Sequence, residues 1–192
     1  MEKVPKPRFF DDGFAVSEQL PRQFTISFKS LNGKNACVLL NDSVQVGDVI
    51  DDNSYQDDYY RYHDVFHYTF ATMLGWSPCA RAMIKCKRKS NSQVDKIEDG
   101  ARATITEEAL SMVIFNEAKK KGFFENSKTV SKITLRTIKE MTAHFEVSIR
   151  TDKEWQRAIL KGYQMFRLLI ANDGGKIYFN AQNQEINFMG LN

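Results

Sequence analysis

Two segments constrain the fold most, because both interleave ionisable side chains with large apolar residues at helical spacing. The first covers residues 59–67 and the second covers residues 94–109. A helix normally keeps its charged side chains on the solvent face, so this mixture turns some of them inward. An inward carboxylate is costly unless it is paired or bound to a metal ion. We therefore expect the chemistry of this chain in these two segments.

Apolar periodicity in the rest of the chain predicts strands at both ends and helices between them. Phe24, Ile26 and Phe28 alternate with polar residues, which is typical of a strand. The Asn32-Gly33 pair that follows is a strong hairpin signal. From residue 57 the apolar spacing becomes helical. Within that region Ser77-Pro78 predicts the start of a short helix, and Thr151-x-x-Glu154 predicts a capping box that opens a later one.

These patterns predict the fold class and the domain organisation. We expect a mainly α protein, namely a helical bundle of four to five helices with small β-hairpin or meander additions at both termini (α+β overall). One domain would cover the chain. Its parts would be an N-terminal β-meander, a helical core and a C-terminal β-hairpin, at residues 22–50, 57–172 and 176–188.

Composition narrows the class of protein. The chain has 192 residues, of which 42% are hydrophobic and 27% charged, as in an ordinary globular protein. Its net charge of +3 is too small to indicate general nucleic-acid binding. The three cysteines lack C-x-x-C spacing and indicate reduced thiols rather than a disulfide frame or zinc site. With no membrane span or signal-peptide core in view, we expect a cytoplasmic protein.

Histidine spacing in the first segment favours a functional site. His63 and His67 are four residues apart and share a helix face, with Asp64 beside the second. This arrangement suits a metal ion or an acid–base pair. The alternative is a hydrogen-bonded network that ties helix ends together. His63-Asp64 also matches the doublet of HD phosphohydrolases, but that family needs an upstream histidine, and none precedes His63.

The second segment carries four carboxylates, at Glu98, Asp99, Glu107 and Glu108. Hard cations such as Mg²⁺ prefer oxygen ligands and usually bind phosphates as well. In one continuous helix Glu98 and Glu108 would lie roughly 15 Å apart along the axis, unless Gly100 interrupts it. A metal site would therefore use one end of this helix plus Asp64. The alternative is a solvated charged face, with Arg102 as the salt-bridge partner of Glu98.

The basic run Lys87-Arg88-Lys89 lies between the two segments. Its charge suits a polyphosphate or nucleic-acid backbone, and the alternative is a solvated basic loop at a helix end. The sequence has no P-loop, no G-x-G-x-x-G and no G-x-S-x-G, so the large enzyme classes that use those motifs have no support.

Several longer motifs carry a family resemblance. They are Tyr60-Arg-Tyr-His-Asp-Val-Phe-His67, Leu74-Gly-Trp-Ser-Pro78, Lys87-Arg-Lys-Ser90 and Ile97-Glu-Asp-Gly-Ala-Arg102. With them, most of the chain resembles the MazG-like family of bacterial proteins. That resemblance implies an all-α nucleoside triphosphate pyrophosphohydrolase, dimeric or larger, which uses Mg²⁺ held by acids on two adjacent helices.

The sequence departs from the acid pattern of that family. Asp95-x-x-Glu98 is the nearest match to the expected E-x-x-E, whereas Glu108-x-x-Ser111 lacks the second acid of E-x-x-D. In Asp64-x-x-His67 an imidazole replaces a carboxylate. Either the metal set is rebuilt from other acids, or the site binds nucleotide without hydrolysing it.

We therefore expect a nucleotide pyrophosphohydrolase that depends on Mg²⁺, with Mn²⁺ as the alternative cofactor, and we expect the following roles for its site residues. The metal ligands would be Asp64, Glu98, Asp99 and Glu108. The proton from water would be taken by Glu107, Glu108 or His67. The phosphates would be neutralised by Arg61, Lys87, Arg88, Lys89 and Arg102. Supporting positions would be held by His63 and Asp95. On this assignment Glu98→Gln abolishes turnover and leaves the fold intact.

Two other functions remain open from the sequence. One is a non-catalytic nucleotide sensor, or a structural subunit of a bacterial stress or phage-defence complex, which the incomplete acid pattern favours. The other is a nucleic-acid-binding module that uses the basic loop and the tyrosines near Arg61, against which the low net charge argues. We expect a homo-oligomer, with a protein partner in such a complex as a further possibility, and no membrane association.

Overall fold

A computed structural model describes residues 8–190. Its strands form one five-stranded antiparallel sheet in the order β3-β2-β1-β4-β5. The strands in chain order are β1 (Gln23–Leu31), β2 (Asn35–Leu40), β3 (Val44–Gln45), β4 (Gly174–Asn180) and β5 (Glu185–Gly190). The hairpin predicted at Asn32-Gly33 is confirmed, because a turn there joins β1 to β2.

Strands from the two ends of the chain share this sheet. β1 pairs with β2, and on its other side with β4, where Phe24 lies opposite Phe179. The predicted fold class, a bundle with small β additions at both termini, is therefore wrong: the protein is α+β, with 46% helix, 17% strand and a central sheet. Periodicity identified these strands, but it carries no signal for pairing between residues more than 140 positions apart.

Six α-helices follow the first three strands. They are α1 (Asp64–Leu74), α2 (Pro78–Ile84), α3 (Ser92–Ile97), α4 (Ala101–Lys120), α5 (Lys132–Met141) and α6 (Asp152–Ala171). Local capping explains several of their starts. The Ser77 hydroxyl accepts a hydrogen bond from the backbone N–H of Ala80, and Thr151 forms a capping box with Glu154. Both capping residues were predicted from the sequence.

Helix α1 is the centre of the core. Every residue from Asp64 to Leu74 is buried, because α6 packs along α1 and both helices contact β4 and β5. Gly162 on α6 allows this close approach: a Cβ atom there would lie 3.2 Å from the Phe66 ring. Ionisable residues at the start of α1 are therefore held inside the protein, not on its surface.

Gly100 divides the second charged segment into two helices. It is the N-cap residue of α4 and is separated from the end of α3 by two residues. A Cβ atom at this position would lie 2.2 Å from the carbonyl oxygen of Lys96. A continuous helix through Glu98 and Glu108 is thus interrupted, and Glu98 and Asp99 lie in the junction rather than on α4. Within residues 8–190, each helix is too short or too polar to cross a membrane.

Candidate metal centre

The start of α1 brings two imidazoles together inside the protein. A 3-10 turn at Tyr60–Tyr62 leads directly into the helix. His67 is fully buried and His63 is 8% exposed, and their ring centroids lie 5.6 Å apart. This places both histidines, as predicted from their spacing, on one face that looks toward α4.

Glu107 on α4 fixes the orientation of His67. Its Oε1 lies 2.9 Å from the Nδ1 atom of His67 and accepts a hydrogen bond of 2.7 Å from the Ser77 hydroxyl. Its Oε2 accepts a 2.8 Å bond from the backbone N–H of Cys79. Because a buried carboxylate accepts, a proton lies on Nδ1 of His67, and Nε2 is the nitrogen left to face the site.

His63 has the same tautomer for a different reason. Its Nδ1 atom lies 2.9 Å from the carbonyl oxygen of Tyr60, which can only accept a hydrogen bond. The Nε2 atom is therefore a lone-pair donor, 3.4 Å from Oδ1 of Asp64. Both imidazoles thus present Nε2 as a potential metal ligand.

Three side chains converge on one point. One ligand atom each from His63, His67 and Glu108 lies within 4.8 Å of the others. Among the described residues, Nε2 of His67 and Oδ2 of Asp64 are buried without a hydrogen-bond partner. Oε1 of Glu108 lies 3.3 Å from that Nε2 without forming a hydrogen bond. A buried polar atom without a partner is costly, and a cation between His63, His67 and Glu108 would give Nε2 of His67 a partner.

The donor set fits a borderline divalent metal. Two imidazole nitrogens and one carboxylate oxygen, each at about 2.0–2.2 Å, are ligands of catalytic zinc sites, which keep a further position open. The Glu108 side chain is 44% exposed, so solvent reaches that side. The carboxylate of Glu107 behind His67 supplies the outer-shell partner that such histidines require.

A second group of possible ligands overlaps the first. His67, Cys79 and Glu107 also approach one another, but both Glu107 oxygens already accept hydrogen bonds. Burial raises the pKa of the Cys79 thiol well above its usual range, so the sulfur is a neutral thiol rather than a thiolate. The set containing Glu108 is therefore the better ligand group.

Electrostatics couple the members of the cluster. Burial disfavours the charged form of Glu108, but the close contact with the His67 imidazole and its charge outweigh this and lower the pKa of Glu108 to about 2. Burial likewise opposes protonation of His67, yet the Cys79 sulfur and Glu107 carboxylate raise its pKa well above the usual range. Burial lowers the pKa of His63. Both shifts favour positive charge between His67 and Glu108, supplied either by a proton on Nε2 of His67 or by a cation that displaces it.

Two predicted metal ligands lie elsewhere. Asp99 is fully buried and binds Arg88, with 2.7 Å between Oδ1 and the guanidinium. Glu98 accepts hydrogen bonds from the backbone N–H of Glu146 at 3.1 and 3.2 Å. These acids join the α3–α4 junction to the 3-10 turn at Glu146–Ile149, so the four predicted carboxylates do not converge on one ion.

The predicted phosphate-binding residues are dispersed. Arg61 is buried against Asp52, with 2.9 Å between the charged atoms, and Arg88 is buried between two acids. Lys87 and Lys89 line a separate pocket of about 430 Å³. Arg102 is exposed in the first turn of α4, and Asp95 is half-buried in the first turn of α3.

Three contributors to the cluster were missed from the sequence. Ser77 was recognised only as a helix cap, and the backbone N–H of Cys79 has no sequence signal. Tyr60, whose ring stacks on His63 at a centroid distance of 4.1 Å, was predicted only as an aromatic of the nucleic-acid-binding alternative and not as part of this cluster. The Ser77-Pro78 cap was the one available clue, because it fixes the start of α2 beside α4.

A comparison with models of known protein families identifies the family to which the chain belongs. A model described as the MazG C-terminal domain matches residues 5–192. The chain belongs to this family. Comparisons with curated proteins and with solved structures found no match. Membership in the MazG C-terminal domain family confirms the resemblance seen in the motifs, whereas the all-α bundle that the resemblance implied is not the fold observed.

Proposed function

We propose that this member of the MazG C-terminal domain family is a divalent-metal-dependent nucleotide pyrophosphohydrolase, which converts an NTP or dNTP to the monophosphate and pyrophosphate. One observation carries the proposal: the unpaired Nε2 of buried His67 faces Nε2 of His63 and the half-exposed carboxylate of Glu108. Family membership supports the choice of nucleotide as substrate.

Each residue has a distinct role in the proposed site. His63, His67 and Glu108 would hold the ion, and Glu107 would keep His67 in its Nδ1–H tautomer. When bound, the ion would polarise a phosphate oxygen and lower the pKa of a water molecule. Asp64, whose Oδ1 lies 3.4 Å from Nε2 of His63, would be the group that accepts a proton from an attacking water molecule.

The chemistry of the ligand atoms indicates which metal ion the site would prefer. Mg²⁺ prefers an octahedral set of oxygen ligands, and the four carboxylates predicted for it do not meet. Imidazole nitrogens suit Zn²⁺ and other transition metals, whereas the Glu108 carboxylate also suits Mn²⁺. We therefore propose Zn²⁺ or Mn²⁺ ahead of Mg²⁺ as the cofactor.

Turnover of defined nucleotides tests the proposal. A panel of NTPs and dNTPs is incubated with Zn²⁺, Mn²⁺ or Mg²⁺, and the products are separated by chromatography. We expect monophosphate and pyrophosphate with at least one metal, and a loss of at least about a hundredfold in His67→Ala and Glu108→Gln. Glu98→Gln, predicted from the sequence to be inactive, serves as the control, because Glu98 bonds the Glu146 backbone instead. Activity in His67→Ala, or loss in Glu98→Gln alone, would refute the site.

A nucleotide sensor or complex subunit remains the second candidate. It is favoured by one observation: Asp99 and Glu98 are committed to Arg88 and to the Glu146 backbone, so only part of the expected acid set is at the cluster. Metal and nucleotide binding without turnover across the whole panel would support this function. Self-association and a stress or defence partner are part of the same proposal, and sedimentation of the protein with and without nucleotide tests the first.

A further inference from the structure

A pocket of about 220 Å³ lies beside the cluster formed by His63, His67 and Glu108. Tyr60 separates the two, since its ring lines the pocket and stacks on His63 with an interplanar angle of 4°. Phe115 lies edge-on to Tyr60 at a centroid distance of 5.2 Å and lines the pocket as well. The same aromatic wall therefore serves both the cluster and the pocket.

Helix α4 connects them directly. Glu108, Met112 and Asn116 follow one another at four-residue spacing, so they lie along one side of the helix about 6 Å apart per step. Glu108 belongs to the cluster, whereas Met112 and Asn116 line the pocket. A ligand that reaches from Glu108 to Asn116 would span about 12 Å, the length scale of a nucleotide with its phosphates extended.

The lining of the pocket is aromatic and amide-rich. Met112, 42% exposed, adds a polarisable apolar surface to the two rings. Asn53 and Asn116 bring amide groups. Lys119 and Asp58 form an ion pair of 2.7 Å within the same lining. Flat apolar surface next to amide donors and acceptors suits a planar heterocycle, and asparagine pairs with nucleobase edges through two hydrogen bonds.

We propose that this pocket binds the base and sugar of a nucleotide whose phosphates extend to Glu108, and that Asn116 reads the base. The phosphate end of this inference rests on the proposed function. The base end does not, because base-dependent binding can be measured without metal and without turnover. Asn116 is thereby a specificity-determining residue, with no part in holding the ion.

Binding measured by titration calorimetry tests the pocket. The probes are AMP, GMP, CMP and UMP, with ribose 5-phosphate as the probe that lacks a base. We expect at least one nucleotide to bind about tenfold or more tightly than ribose 5-phosphate. In Asn116→Ala we expect this difference in affinity between the nucleotide and ribose 5-phosphate to be lost. Asn126→Ala, in an exposed turn outside this lining, is the matched control and should keep the preference.

The outcomes separate the two proposals. Equal binding of ribose 5-phosphate and all four nucleotides, or an unchanged preference in Asn116→Ala, would overturn the pocket. Cobalt(II) binding is measured on the same samples and should be equal in wild type and Asn116→Ala. Base-dependent binding in a wild-type protein that binds no Co²⁺ would support the pocket and refute the metal-dependent hydrolase.

Discussion

At the residue scale, the site depends on a carboxylate that cannot touch a ligand. Glu107 is fully buried and accepts hydrogen bonds from Ser77 and from the Cys79 backbone while it orients His67. The geometry gives it the part of a positioning residue rather than the base predicted from the sequence. Glu108, its neighbour, points to the cluster because successive helical residues lie about 100° apart around the axis.

Replacing Glu107 by glutamine should weaken metal binding without removing a ligand. A glutamine amide has one acceptor oxygen for three donors, so at least one buried donor loses its partner and His67 loses its fixed orientation. We expect Zn²⁺ affinity to fall about 10–100-fold, measured by competition with a chromogenic chelator. Glu117→Gln on the same helix, which disturbs bonds to Ser131 and Thr134 instead, should leave that affinity unchanged.

Glu98 should make the stability of the protein depend on pH. Burial, reinforced by the Glu146 carboxylate and partly opposed by the Glu146 N–H, raises the pKa of Glu98 from 4.5 to about 7. The folded state thus binds this proton more strongly than the unfolded chain does. The contribution of Glu98 to the free energy of unfolding is therefore greatest below pH 4.5 and is lost as pH rises to about 7.

Urea unfolding of wild type and Glu98→Gln between pH 4.5 and 8 checks this prediction. Glutamine does not titrate and keeps an acceptor for the Glu146 N–H. We expect the variant to gain stability relative to wild type as pH rises through this window, with the difference constant above it. Two curves that stay parallel across the window would show that Glu98 titrates normally.

At the scale of elements, the break between α3 and α4 decides which acids can meet. Glu98 and Asp99 lie in the junction that ends at Gly100, whereas Glu107 and Glu108 on α4 face α1 and α2. Serine at position 77 then places the start of α2 against Glu107. The cluster is therefore a product of three helix starts, those of α1, α2 and α4, rather than of one amphipathic helix.

Gly100→Ala should strain this junction. The added methyl group would meet the Lys96 carbonyl at 2.2 Å, a backbone atom that moves only if α3 shifts. We expect a loss of about 2 kcal/mol or more in the free energy of unfolding, measured by urea denaturation. Gly13→Ala, whose methyl group would meet nothing within 4 Å, is the matched control and should be close to neutral.

At the scale of the whole molecule, the sheet joins the two ends of the chain around α1. Phe179 on β4 stacks on Phe24 of β1 at a centroid distance of 5.0 Å and lies near Tyr68 of α1 at 6.1 Å. This contact links the N-terminal strand, the C-terminal strand and the helix that carries the histidines. Damage to the sheet should therefore reach the proposed metal site through α1.

Phe179→Ala should destabilise the fold by about 3–5 kcal/mol, because it leaves a cavity in a fully buried layer. Tyr178→Phe, the next residue on the other face of β4, removes only a hydrogen bond to Gln23 and should change stability by about 0.5 kcal/mol or less. Thermal unfolding followed by circular dichroism compares the two. A similar melting temperature for both variants would contradict the central position given to the β1–β4 layer.

The sequence predicted local features correctly, but it did not predict contacts between residues that are far apart in the chain. The Ser77 cap, the Thr151 capping box and the family followed from neighbouring residues, and His63 and His67 share a face as their spacing predicted. The contact partners of these side chains could not be predicted, because periodicity identifies which side chains point inward but not which residues lie opposite them. Thus Asp99, which binds Arg88, could not be distinguished from Glu108, which faces the cluster. The pairing of β1 with β4 could not be predicted from the sequence for the same reason.

Cobalt(II) binding tests the central claim most directly, since Co²⁺ replaces Zn²⁺ and its visible absorption reports ligand number and type. Wild type should bind Co²⁺ with the intense visible bands of a four- or five-coordinate site. His63→Ala, His67→Ala and Glu108→Ala should each lose or shift those bands, while Glu98→Gln keeps them. An unchanged spectrum in His67→Ala, or no binding by folded wild type, would contradict a metal centre at this position.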